Sequence, residues 1–227
     1  MLRKRFLYCL SSISWVFIAI SVLYFKIFPN LINPVFSDIF ITSLIFLSVL
    51  SLIAGFFIIQ TSRELILFMP QCLLICFLAR CIRYLRLSYP ALWDPYAFLA
   101  AFLNIHDFGT LEPIYCYWYP VEGLINWPSM IIITEFLSRM GQIDYMWLFN
   151  YQQPILGMVF FLGAYLLAYT VSKNYGVSLL SGLISSLSSH VIFYQSEYHY
   201  QGFAFIIFIF FLIGLLKTCK SKSISAY

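Results

Sequence analysis

The sequence predicts an all-α integral membrane protein, with about six transmembrane helices and two short juxtamembrane helices in a long outer loop. Three observations predict it. Of 227 residues, 62% are hydrophobic and only 10% are charged, whereas a soluble domain carries about 25% charged residues. Mean hydropathy is +0.89. The apolar residues also gather into segments close to the roughly 20 residues, about 17 at the least, that cross a hydrocarbon core. The net charge of +4 forms no long basic tract, so membrane lipid is an expected partner and nucleic acid is not.

Six segments stand out: residues 6–27, 39–60, 65–85, 154–172, 177–195 and 200–216. The first follows Arg3, Lys4 and Arg5, as in a secretory leader. It is long and lacks a small-x-small cleavage site, so it is expected to stay as an uncleaved span. The second is the cleanest, with no charge between Asp38 and Arg63. The third ends on Arg80 and Arg83, whose side chains are expected to snorkel to the interface; otherwise the span ends near residue 79 and an interfacial helix follows. Cys72 and Cys76, four apart in that run, read as small fillers of a helix face rather than zinc ligands.

With the N-terminus in the cytoplasm, Arg3, Lys4, Arg5, Arg63, Lys173, Lys217, Lys220 and Lys222 face inward, the sign the positive-inside rule requires. Arg80, Arg83, Arg86 and Arg139 then face outward, with Lys26 near the outer interface. Asp38, Asp94, Asp107, Glu112, Glu122, Glu135, Asp144 and Glu197 also fall outside, leaving Glu64 alone on the inner side. The expected location is the cell membrane, with multiple passes. The division expected is two N-terminal spans in 1–64, a membrane core in 65–216 with its outer loop at 86–153, and a loosely ordered cytoplasmic tail at 217–227.

The outer loop is too apolar for open solvent. DPYAFLAAFLNIHDFG reads as a short helix capped by Asp94 and begun by Pro95. WPSMIIITEFLSRMG reads as a second, starting at Pro128 and stopping at Gly141. Both are too short to span and are expected to lie along the membrane surface or to pack onto the spans. Between them lies EPIYCYWYPVEG. Its Tyr117, Trp118 and Tyr119 suit the headgroup belt, or, with Glu122, a sugar or acceptor surface.

Residues 194–201, YQSEYHYQ, set Glu197 and His199 two apart in a short loop between apolar runs. Solvation at a helix end is one explanation. Alternation in a tight extended turn, bringing both to one face, is the other. With Asp94 from the earlier loop they make an oxygen-rich set suited to Mg²⁺ or Mn²⁺.

This layout resembles the GT-C superfamily of membrane glycosyltransferases. There an acidic residue follows a span in the first large outer loop, as Asp94 does within LSYPALWDPYAFLAAFLNIHDFG. Juxtamembrane helices follow, and a second acidic motif sits in a short outer loop two spans later, as in YQSEYHYQ. YWYPVEGLINWPSMIIITEFLSRMGQID is similar to the family's turn into a surface helix. The likeness covers residues 65–216.

The resemblance implies sugar transfer from a polyprenyl-phosphate donor to an acceptor at the outer face. Asp94 would be the catalytic base, or would orient the acceptor and share the metal. Glu197 and His199 would hold the divalent cation, and Arg80, Arg83 and Arg86, stepping by three along one helical face, would bind the donor phosphate. The chain departs from the pattern in three ways. Two spans precede the expected first one, the second motif is Glu-x-His, and family members usually continue with further spans. The resemblance therefore implies an incomplete or split enzyme, with a second membrane subunit supplying the remaining spans.

Two other classes are compatible with the sequence. A non-catalytic multi-pass partner protein needs none of the aligned acids. A transporter needs polar groups within its spans. Tyr169, Ser181 and the serines at 185–189 are the best candidates, and they suit helix packing equally well.

Overall fold

A computed structural model describes residues 2–27, 34–81, 99, 102–103, 105–107, 129–188 and 200–224. Seven helices can be named within them: α1 (Leu2–Ile27), α2 (Pro34–Phe56), α3 (Ser62–Cys81), α4 (Ser129–Gly141), α5 (Tyr145–Ser172), α6 (Tyr175–Leu187) and α7 (Tyr200–Ile224). Residues 99, 102–103 and 105–107 are also helical, and no strand occurs among the described residues.

Four helices are long and apolar enough to cross a membrane, over Leu2–Tyr24, Ile39–Phe56, Ser62–Cys81 and Pro154–Ser172. They match the first four segments of the sequence, with shifted ends. Helix α3 begins at Ser62 rather than 65, because Thr61 and Glu64 form a capping box. The Thr61 hydroxyl accepts from the Glu64 N–H at 3.4 Å, and Glu64 accepts from the Thr61 N–H at 3.2 Å. Glu64 also accepts from the Gln60 N–H at 2.9 Å and pairs with Arg3, which donates to Gln60 as well.

Helix α5 starts at Tyr145, ahead of the expected 154. Asp144 caps it, accepting from the N–H groups of Met146 and Trp147 at 2.6 and 3.1 Å. Of the expected span 177–195, α6 covers residues up to Leu187, and 189–199 lie outside the described residues. Helix α7 does not stop at 216. It runs through Ile224, since nothing after Gly214 breaks a helix and lysine is a good helix former. A helix occupies Ser129–Gly141, ending at the glycine where the sequence expects it to stop.

Helix α3 lies at the centre, against α1, α2, α5 and α6, while α5 also carries α4 and α7. Phe68, Cys72, Ile75 and Cys76 of α3 are fully buried with Leu52, Phe161 and Leu179. The two cysteines fill the α3 face as the sequence predicted. Gln71 ties α3 to α1 by donating to the Ser11 hydroxyl at 2.6 Å, the kind of side-chain bond that joins helices where lipid offers no competing water.

These contacts set which helix ends lie together. The Arg3–Glu64 pair joins the start of α1 to the start of α3. At Gly176 a Cβ would lie 1.9 Å from the Phe56 carbonyl oxygen, so the start of α6 abuts the end of α2. Lys173, in the left-handed region at φ 55°, makes the short corner between α5 and α6. Phe160 packs on Phe205, and Gly163 on Ile209, so α7 runs parallel to α5. One end of the bundle therefore carries Arg3, Arg63 and Lys173, and α7 brings its last turns, with Lys217, Lys220 and Lys222, to that same end. The ends of α3 and α6 and the start of α5 lie at the other.

Candidate functional site

Two arrangements occupy the end away from the lysines. The first is built on Arg80, in the last turn of α3. The sequence leaves this side chain free to snorkel outward, but it is wholly buried instead. One terminal nitrogen donates to the Cys76 carbonyl at 2.7 Å, the other to the Ser186 carbonyl of α6 at 2.9 Å. Ser186 lies one residue from the end of α6, where carbonyls lack intrahelical partners and the helix dipole is negative. A cation is stabilised there. Gly157 of α5 provides the room, because a Cβ at that position would sit 2.2 Å from Arg80 Nε and 2.4 Å from Cδ.

The second arrangement lies outside the hydrophobic stretch of α5. Glu135 of α4 accepts a bond from His106 Nδ1 at 3.0 Å and one from Arg139 Nε, a turn further along α4. Arg139 also donates to the His106 carbonyl at 2.8 Å. Phe102 stacks on the imidazole with centroids 5.5 Å apart and planes 17° apart, and Tyr145 flanks it at 6.3 Å. Beneath, Phe102, Ile131 and Phe149 form a buried cluster. Thr134 completes the joint between α4 and α5, donating to Gln152 at 2.9 Å. The carboxylate side chain is 11% exposed and the imidazole 36%.

Of the site residues that the glycosyltransferase resemblance implies, Arg80 alone falls among the described residues, and it contacts helix carbonyls. Asp94, Arg83, Arg86, Tyr117, Trp118, Tyr119, Glu122, Glu197 and His199 lie outside them. Among the described residues, no three His, Cys, Asp or Glu side chains gather as a metal site. Sequence reasoning counted Glu135 only as one outer acid and gave His106 no role. Their separation of 29 residues shows no motif. The signal available was the Glu135–Arg139 spacing of four on one helix face.

No protein-family model, curated protein or solved structure matches this chain.

Proposed function

We propose that this chain is part of a membrane glycosyltransferase that takes a sugar from a polyprenyl-phosphate donor at the outer face of the cell membrane. In this reading α6 and α7 complete six spans, and the N-terminus is cytoplasmic. One observation carries the proposal: Arg80 Nη2 bonds the Ser186 carbonyl. It holds the end of α3 beside the end of α6. The two described helix ends nearest in sequence to Asp94 and to Glu197 and His199 are therefore neighbours, which supports a reading in which the two loops share a substrate.

Arg80, with each terminal nitrogen on a helix carbonyl, serves as the clamp between those two helix ends. Arg83 and Arg86 are left to meet the donor phosphate, for which the planar guanidinium is suited. Asp94 orients the acceptor hydroxyl, with Tyr117, Trp118, Tyr119 and Glu122 as the surface for sugar or acceptor. A divalent cation held by Asp94, Glu197 and His199 would supply charge neutralisation at the departing phosphate.

The test is transfer of labelled sugar from a polyprenyl-phosphate donor by membranes holding the wild type or Asp94→Asn. The variant is expected to insert normally and to lose transfer. Transfer at the wild-type rate by membranes containing only the variant removes Asp94 from the reaction.

A further inference from the structure

The His106–Glu135 pair is built as a unit, and the function proposed above does not use it. Glu135 engages Nδ1, and Arg139 engages both the Glu135 carboxylate and the His106 main chain. The Phe102 ring lies along one face of the imidazole. The ring is thus held in orientation by a carboxylate, a main-chain contact and an aromatic plane. Nε2 makes no hydrogen bond among the described residues, and the side chain is 36% exposed. A carboxylate on Nδ1 places the proton there and leaves Nε2 with its lone pair. Such a base, oriented by a third group, is the arrangement proton abstraction requires.

We propose that His106 is a proton acceptor for an alcohol at the outer membrane interface, with Glu135 as its positioning residue. This rests on the glycosyltransferase reading, in which the alcohol is the sugar acceptor. The acceptor O–H bond breaks and its proton goes to Nε2. The oxygen forms a bond to the anomeric carbon of the donor. The bond from that carbon to the phosphate oxygen breaks, and its electron pair leaves with the phosphate. The imidazolium stays hydrogen-bonded to Glu135, whose carboxylate Arg139 also engages, until the proton passes to water.

Diethyl pyrocarbonate, which acylates unprotonated imidazole, tests the dyad without any assay of transfer. The full chain in lipid nanodiscs has three histidines, and mass spectrometry distinguishes them. His106 is expected to react readily, and Glu135→Gln to slow it several-fold. Nitrogen spectra of the neutral ring should place the proton on Nδ1 in the wild type and move it toward Nε2 in the variant. A His106 that resists acylation, or keeps its rate and tautomer in E135Q, overturns the dyad.

Transfer assays then judge the alcohol. H106Q is expected to lose transfer while E135Q retains a reduced rate, and H106Q transferring like the wild type overturns the assignment. Failure of the wild type to transfer sugar overturns the glycosyltransferase reading and the assigned alcohol with it. The acylation result still decides the dyad.

Discussion

A guanidinium buried among apolar helices must be met by oxygen atoms, because it cannot shed its proton to escape the low dielectric. Arg80 meets two carbonyls, one on its own helix and one on α6. Bonds to a charged donor are worth about 1.5–3 kcal/mol each, and less where membrane partners compete. Arg80→Ala is therefore expected to destabilise the bundle by about 2 kcal/mol, measured by reversible denaturant unfolding in bicelles. Gly157→Ala drives a methyl into the Arg80 side chain, an overpacking cost of about 1–3 kcal/mol. The double variant gives the sharper result. With Arg80 shortened the methyl at 157 meets open space, so the two changes should fall short of additivity by about 1 kcal/mol. Strict additivity would mean that the Gly157 seat does not hold Arg80. The sequence showed an arginine near the end of a span but not which way its side chain turned. That choice depended on a carbonyl 106 positions away, which no local pattern encodes.

At the scale of the element, the parts that local chemistry controls were legible and the parts set by neighbours were not. Pro128 and Gly141 bracket α4 in the sequence, and the helix occupies Ser129–Gly141. The capping box T-x-x-E at Thr61–Glu64 was equally local but lay hidden in a charged stretch that looked like a plain loop. Glu64→Ala removes the acceptor of two backbone N–H groups and the partner of Arg3, at a cost of about 1 kcal/mol. Glu64→Gln, which preserves a capping acceptor, should cost less in the same unfolding measurement. A larger loss for Gln than for Ala would refute the capping account. The α2–α6 contact was not legible, because Gly176 looks like any helix-start glycine until the Phe56 carbonyl is beside it. Gly176→Ala must push backbone from backbone, with an expected cost of about 1–3 kcal/mol.

Across the whole molecule, the sequence separated its cations into two groups by loop counting alone, and the packing assembles the larger group independently. Arg3 reaches the α2–α3 corner, Lys173 sits at the α5–α6 corner against Tyr169, and α7, parallel to α5, brings Lys217 to that end. The opposite end holds Glu135, Arg139 and Asp144. Periodicity sufficed for this because alternation of spans follows from hydrophobic length. The His106–Glu135 joint needed the fold, since it links two surface segments whose approach depends on the Phe102 and Phe149 packing beneath. If the positive-inside rule governs insertion, the lysine-bearing end is cytoplasmic. Cysteines substituted singly for Arg139 and Lys173, in a chain whose own cysteines are replaced by serine or alanine, decide it. In right-side-out vesicles a membrane-impermeant maleimide should label the residue-139 variant from outside. The residue-173 variant should label only after the membrane is permeabilised. The reverse pattern would place His106 and the ends of α3 and α6 on the cytoplasmic side. A reaction at the outer face would then have no site in this chain.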